Sequence, residues 1–386
     1  MAAPRIVAIG TAVPDTVVPQ PVARSILLAQ PGIGRVAQRL IAAAIDGSAI
    51  EARHTVITEF AGAGAEAAGR GAEGAGAPGI RAPALFFDRE TGLMQHPTTG
   101  QRNAVYAREA GPLALAAARS ALAAAPGVDL ADVTHVITVS CTGFAAPGVD
   151  YELVHGLGLS LSAARLGIGF MGCHAAFPAL RAAVAACAAD PAAVVLVVCV
   201  ELCTLHLRSS EDPEQIVSAS VFGDGAAAAI VTARPGAAAG RALRVDALHS
   251  SLSADSVGAL TWSVGDQGFD LRLSAYVPKL LEASIDEALA PLRPARDWAA
   301  VERWAIHPGG RAILDRTQQA LGLSDAQLAP SRAVLREFGN MSSPSVLFAL
   351  QRLMRDAAPG ETLIATAFGP GLTVEGALLA VEAGRA

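Results

Sequence analysis

The chain repeats itself, and that repeat limits its fold more than any single residue does. An apolar run from Val133 to Ser140 ends at Cys141-Thr142-Gly143, and 32 positions after Cys141 stands Cys173, flanked by glycine and followed by an Ala/Leu/Val-rich stretch. In the second half Trp304-Ala305-Ile306 ends at His307-Pro308-Gly309, and 33 positions after His307 stands Asn340, again beside a glycine and ahead of a helical pattern. The next strands keep step, with Cys199 and Thr366 each 26 positions further on. Each half closes on a small-residue strand, Gly225 to Val231 and Gly376 to Val381. Two copies of one strand-and-helix unit predict a pseudo-twofold axis. Residues 1–235 form the half that carries the cysteine, and residues 236–386 the half that carries His307 and Asn340. Strand ends from both halves meet at the centre, so Cys173, His307 and Asn340 converge there although they lie far apart in sequence.

Periodicity fills in the rest. Arg5 to Gly10 reads as a first strand, and Val22 to Ile50 as helix interrupted at Pro31, Gly32 and Gly34. The Ala/Gly tract from Ala61 to Pro78 has little side chain to pack and reads as a surface loop. Asn103 to Ala125 and Tyr276 to Ala288 carry helical spacing; Val194 to Val200 and Thr362 to Ala367 read as strands, and His249 to Gly268 as irregular. Hydrophobic residues make up 52% of the 386 and charged residues 17%, a balance for a large α/β interior and against disorder. A net charge of -6 gives no basic surface for nucleic acid, and the apolar runs are too short to span a bilayer. Five cysteines with no CxxC spacing and no leader-like start fit free thiols in the cytoplasm.

Cys173 sits between the short run Ala164 to Ile168 and the apolar helix that begins near Pro178, hence at a strand-to-helix turn. Orphan amides and the helix dipole at such a turn favour a thiolate. A cysteine there is either a packed structural thiol or a nucleophile, and this stretch alone does not decide. Joined by an imidazole it becomes an acyl acceptor, because an imidazolium lowers the thiol pKa. A carboxamide beside the imidazole adds a second neutral donor, and two donors facing one oxygen can hold an enolate. Cys/His/Asn therefore suits carbon–carbon bond formation between thioesters: loss of carbon dioxide from a malonyl thioester makes the carbanion without an external base. The same trio serves hydrolysis in papain-like proteases, but the surroundings of Cys173 are not of that type.

These motifs resemble the type III polyketide synthases, the chalcone and stilbene synthase-like branch of the thiolase fold, in a bacterial alkylpyrone or alkylresorcinol form. The resemblance runs from about Arg5 to Val381. It rests on the Cys173 block, on Trp304 to Gly310, on Gly339-Asn340-Met341-Ser342-Ser343-Pro344-Ser345-Val346, on Phe222-Gly223-Asp224-Gly225, and on Phe368-Gly369-Pro370-Gly371. It implies an αβαβα layered fold, a homodimer, no metal and no organic cofactor, and acyl and malonyl thioesters of coenzyme A or of an acyl carrier protein as substrates. The catalytic trio falls on Cys173, His307 and Asn340, and Phe222 on a position beside the malonyl group. Cys141, Cys203 and Ala146 fall around the starter pocket, Trp262 and Leu271 on its elongation side, and Gly369 and Pro370 on the loop lining the cyclisation cavity. The family's phosphate-gripping cations have no match in Ala42 to Gly47; Arg35, Arg39, Arg53 and Arg311 are the nearby candidates. Small residues at the starter positions predict a fatty or other aliphatic starter, and Trp262 predicts few extensions, closed to a pyrone or resorcinol. The alternatives are a condensing enzyme of the same fold that joins β-ketoacyl thioesters without cyclising, and a thioester-binding or hydrolysing relative. His174 and His206 are expected to be hydrogen-bonded structural residues.

Overall fold

The structure, a computed structural model, describes residues 3–62, 84–238, 240–253, 258, 260–273, 276–293 and 297–383. Most of the Ala61–Pro78 tract lies outside the described residues. In chain order the elements are β1 (Arg5–Ala12), β2 (Thr16–Pro19), α1 (Gln20–Leu28), α2 (Arg35–Asp46), β3 (Ala52–Thr55), β4 (Phe87–Asp88), β5 (Leu93–Met94), α3 (Thr99–Ala123), β6 (His135–Ser140), α4 (Val149–Leu157), β7 (Ala164–Gly169), α5 (Ala176–Ala189), β8 (Val194–Leu202) and α6 (Pro213–Val221). They continue as β9 (Asp224–Thr232), β10 (Ala242–Leu252), β11 (Leu260–Gly265), β12 (Gly268–Leu273), α7 (Val277–Leu289), β13 (Arg303–Ile306), α8 (Arg311–Leu321), α9 (Asp325–Phe338), α10 (Ser345–Asp356), β14 (Thr362–Gly369) and β15 (Thr373–Glu382).

Strand order carries the duplication. The large sheet runs β13-β14-β15-β10-β1-β9-β8-β6-β7. Outward from its centre, β1-β9-β8-β6 mirrors β10-β15-β14-β13. Each side starts with two antiparallel pairings and ends with a parallel one. The halves join through a short antiparallel contact, Arg5 opposite Arg244.

The layers follow from which faces are apolar. On β8 the even residues Val194, Leu196, Val198, Val200 and Leu202 pack with α3 and α4, while Val195, Val197 and Cys199 pack with α5 and α10. A strand buried on both faces must be apolar without alternation, as its sequence is. Helices α5 and α10 share one core with strands of both halves. Helices α7, α8 and α9 cover the outer face of the second half, around Trp304, Ile306 and Ile364. The result is α3/α4, sheet, α5/α10, sheet, α7/α8/α9, the expected αβαβα arrangement. The alanines of β9 (Ala226 to Ala229, all fully buried) let these helices approach closely.

Two expectations need correction. The described residues of His249 to Gly268 are not irregular: β10 continues to Leu252, paired with β15 as far as Thr373, and Leu260–Gly265 pairs with Gly268–Leu273 as a hairpin. Strand pairing overrides the weak local signal of a polar, Ser-rich stretch. Helix α5 begins at Ala176, earlier than Pro178, because a proline in the first turn leaves no hydrogen bond unmade.

Candidate active site

Strand β7 ends at Gly169, helix α5 starts at Ala176, and Cys173 occupies the turn between them. The turn is tight: Phe170 has φ +57° and Gly172 φ +84°. A methyl at Gly172 would overlap the ring of Pro370, so only glycine lets the second half's loop lean on the nucleophile's turn. The Gly172 amide donates to the Cys141 sulfur at 3.1 Å, which ties the end of β6 to the same turn.

His307 follows β13, and its amide donates to the Thr366 carbonyl at 2.8 Å, fixing it beside β14. Asn340 lies between α9 and α10 and forms a parallel bridge with Phe222. Its Oδ1 accepts from the Ser342 amide at 2.8 Å and its Nδ2 donates to the Gly309 carbonyl at 3.2 Å. Those two bonds fix which way the carboxamide points, leaving the second Nδ2 hydrogen for the cavity.

Cys173, His307 and Asn340 line one cavity of about 710 Å3, its opening included. Cys141, Thr142, Cys203, Phe222, Leu260, Trp262, Val277, Ile313, Ser342, Phe368 and Pro370 complete most of its wall. Trp262 is pinned there by its indole N–H, which donates to the Cys141 carbonyl at 3.0 Å. A second space of about 970 Å3 shares Gly309 and Ile313 with the first and is walled by α2, α6 and the start of α8. It adjoins the cavity there and is the candidate mouth. Arg311 and Glu214 are the charged side chains on its wall among the described residues.

Five of the residues expected beside the trio are in that wall: Cys141, Cys203, Phe222, Trp262 and Pro370. Three are not. Ala146 stands on an exposed loop beyond β6. Gly369 faces away from the cavity, with its Cα against the His174 imidazole. Leu271 pairs through its backbone with Trp262 across the hairpin. The sequence reading missed Ser342, Thr142, Val277 and Ile313. Ser342 lies two residues after Asn340, and its φ of +57° marks it as a constrained position.

The electrostatics differ from the expectation of a resting ion pair. Burial pushes the Cys173 thiol up to about 11; Ser342 and Asn340 draw it down, while the Glu201 carboxylate draws it further up. Burial pushes the His307 imidazole down to about 3, and His174 nearby acts in the same direction. Cys173 is only partly exposed, and the protein around it solvates charge poorly. The helix-end field is too weak to offset that burial, because Cys173 precedes the first helical residue by three positions. Both shifts favour the uncharged forms, a thiol and a neutral imidazole.

His206 is hydrogen-bonded as expected, to the Thr142 carbonyl at 2.8 Å and the Phe269 amide at 3.1 Å. His174 is not: both its ring nitrogens lack a hydrogen-bond partner among the described residues. Behind the wall, the buried Glu201 accepts from the Cys141 amide (2.9 Å), the Thr142 hydroxyl (3.0 Å) and the Ser343 hydroxyl (2.6 Å), tying the two halves together. Burial raises that carboxyl to about 7. Among the described residues no group of three His, Cys, Asp or Glu side chains could hold a metal ion, and no helix is long and apolar enough to cross a membrane.

Comparison with known proteins gives a consistent picture. The family model for the N-terminal domain of chalcone and stilbene synthases matches residues 88–235, and that for the C-terminal domain matches residues 248–382. An alpha-pyrone synthesis polyketide synthase-like protein of Mycobacterium tuberculosis is 35% identical over 297 residues, 73% of each chain. Among solved structures, PKS-I from the brown alga Ectocarpus siliculosus superposes with a TM-score of 0.85 at 30% identity, covering 98% of both chains. The 1,3,6,8-tetrahydroxynaphthalene synthase of Streptomyces coelicolor, a bacterial type III polyketide synthase, gives 0.81 at 26% identity over 98% of this chain and 99% of that one.

Proposed function

The chain belongs to the chalcone and stilbene synthase family of type III polyketide synthases, acyltransferase-type condensing enzymes, and we propose that Cys173 carries its acyl chain while His307 and Asn340 hold the enolate that extends it. One observation carries this reading: a thiol, an imidazole and an oriented carboxamide line the same cavity, and a second open space adjoins it.

Loading begins when the thioester carbonyl of a starter reaches Cys173. The thiol passes its proton to His307 as sulfur attacks, so charge forms only when the substrate is present to receive it. The imidazolium returns that proton to the departing thiolate. A malonyl thioester then enters with its carbonyl oxygen toward His307 and Asn340. Carbon–carbon cleavage releases carbon dioxide and leaves an enolate whose oxygen takes hydrogen bonds from both donors. The enolate carbon attacks the acyl carbon on Cys173, the carbon–sulfur bond breaks, and Cys173 leaves as a thiolate. Each extension thus takes up one proton overall, matched to each carbon dioxide lost.

We assign an aliphatic starter. The cavity wall is apolar, through Cys141, Cys203, Leu260, Val277 and Ile313. A cleft of about 300 Å3 shares Cys203, Phe222 and Trp262 with it, but His206, Arg208, Gln215 and Ser218 make its far wall polar, so the assignment rests on the apolar wall of the cavity itself. Trp262 stands where a growing chain must fold back, which favours few extensions and closure to an α-pyrone. The relative from Mycobacterium tuberculosis, named for alpha-pyrone synthesis, supports that product class. The mouth, with Arg311 on its wall, is the proposed port for coenzyme A or carrier-borne thioesters. The boundary between residues 235 and 236 and a homodimer remain part of the same proposal, the first supported by the mirrored strand order.

The test pairs two readouts. Intact-protein mass spectrometry after incubation with acyl-CoAs of graded length should show one acyl group on the wild type and none on Cys173→Ala. Adding malonyl-CoA should give triketide or tetraketide pyrones from aliphatic starters. Turnover of aromatic starters alone would remove the starter assignment, and product from Cys173→Ala would remove the mechanism.

A further inference from the structure

Arg53, one of the candidate cations for a phosphate, is buried away from the surface. Its side chain is 5% exposed and runs from β3 beneath the point where the two halves touch. Nε donates to the Gln20 Oε1 at 3.0 Å. One terminal nitrogen donates to two carbonyls, Ala219 at 2.7 Å and Phe222 at 2.8 Å. Gln20 in turn donates to the Ser220 carbonyl at 2.7 Å and the Ser48 hydroxyl at 3.1 Å. Together they cap the C-terminal end of α6, whose last carbonyls would otherwise be buried without donors.

The segment so held is the one that meets Asn340. The Asn340 amide donates to the Val221 carbonyl at 2.8 Å, and the Gly223 amide donates to the Asn340 carbonyl at 3.0 Å. Phe222 therefore lies between a guanidinium on one side and the Asn340 strand on the other. Gly339, at φ +70°, fits there because a side chain would strike the Val221 carbonyl and the Arg53 stem, at 2.6 Å and 3.0 Å from an added Cβ. Three separate pieces of chain, the start of α1, the end of α6 and the Gly339–Asn340 segment of the second half, thus meet around one side chain.

The cation is expensive to keep. Burial pushes Arg53 down to about 10, leaving it charged at neutral pH. No carboxylate hydrogen-bonds to it among the described residues. The nearest charge that acts on it, Asp224, is itself occupied by the Val56 amide and by the Thr204 amide and hydroxyl. Methionine or leucine would fill such a space at lower desolvation cost if filling it were the only task.

We propose that Arg53 is a positioning residue for malonyl decarboxylation: by gripping the Phe222 carbonyl it sets the Phe222 ring and the Asn340 carboxamide against each other, on the malonyl side of the cavity. This rests on the enolate role given to Asn340 above. Cys173 takes its backbone position from β7, α5 and Cys141 and meets this segment only through the Ser342 and Asn340 side chains. Loss of Arg53 should therefore harm extension and spare loading.

Arg53→Lys keeps the charge but cannot span both carbonyls and Gln20, and a misplacement of about 1 Å is worth roughly 100-fold in rate. The assay measures carbon dioxide release from malonyl-CoA and, separately, acyl loading of Cys173 by intact mass. The expected result is a fall in kcat for carbon dioxide release of about 30- to 100-fold, with KM for malonyl-CoA and the loading rate both within roughly threefold of wild type. Gln20→Ala, which removes one partner and leaves the guanidinium, should show the same selectivity at roughly a tenth of the size. It decides the question if Arg53→Lys does not fold, with thermal melting as the check. Folded variants that release carbon dioxide like the wild type, or that lose loading equally, overturn the proposal. A wild type that neither loads nor decarboxylates overturns the functional reading instead, so the two failures are distinct.

Discussion

Asn340→Asp separates geometry from hydrogen-bond polarity, because the two side chains are nearly the same shape. In the wild type, Oδ1 accepts from the Ser342 amide and Nδ2 donates to the Gly309 carbonyl, so the cavity sees a donor. With a carboxylate the Ser342 bond survives, but two oxygens face each other where Nδ2 now meets the Gly309 carbonyl at 3.2 Å. An acceptor then replaces the donor that the enolate oxygen needs. Removing one oxyanion donor costs about 100- to 1,000-fold in kcat, or roughly 2.7–4 kcal/mol. A negative charge beside a developing negative charge adds to this, so the loss at pH 7.5 should reach the upper end. The assay is carbon dioxide release from malonyl-CoA, with acyl loading of Cys173 as internal control; loading should stay within a few-fold. Burial raises the pKa of an introduced carboxyl. As pH falls it takes up a proton and can donate again, so activity should recover in part near pH 5.5. Decarboxylation within about fivefold of wild type at pH 7.5, or recovery on raising the pH, would refute the assignment of Asn340 as an oxyanion donor.

Trp262→Ala removes the indole pinned to the Cys141 carbonyl and opens the cavity beside Cys203. Product mass spectra should move toward more extensions, at a stability loss of about 2 kcal/mol, below the 3–5 of a fully buried indole; an unchanged product profile would show that Trp262 does not limit the chain. Alkaline stability tests the buried thiols. All five cysteines are pushed above the ordinary value of 9.0 by burial, Cys173 and Cys187 to about 11. Above pH 9 the unfolded chain releases protons that the folded chain keeps, so stability is full below that pH and falls as it rises, by up to about 1.4 kcal/mol per unit for each thiol. Urea midpoints at pH 8, 9 and 10 should fall progressively, and less so in Cys187→Ala; a flat profile would contradict the burial of these thiols.

What the sequence made legible was whatever depends on strand and helix periodicity. The runs ending at Cys141 and His307 read as strands because they are apolar on consecutive residues, and the equal spacings to Cys173 and Asn340 exposed the duplication. The β11–β12 hairpin was hidden because its residues are mixed in polarity and its order comes from pairing. The upward shift of the Cys173 thiol is hidden in the sequence for a similar reason: helix-end fields are local and visible in sequence, whereas desolvation depends on everything packed around the sulfur. Arg53 shows the same limit most plainly. One arginine among several near the start of the chain looks like a surface cation, and only the folded chain puts it under Phe222.

The neutral state of the site bears directly on how carbon dioxide would leave. Malonyl thioesters bring a carboxylate into a space bounded by Phe222, Leu260, Val277, Ile313 and Phe368, with no lysine or arginine on its described wall. A cation there would hold the carboxylate and stabilise the reactant more than the transition state. An apolar wall does the opposite: it withholds solvation from a localised charge that is about to spread into an enolate. The donors that receive the charge must then be uncharged until they are used. Burial supplies that condition for His307 by holding its imidazole near 3, far below the pH at which it works. On this account the low pKa of His307 and the apolar wall are two consequences of one dry cavity. A cation placed on the wall, as in Ile313→Lys, should slow decarboxylation even while it tightens binding of malonyl-CoA.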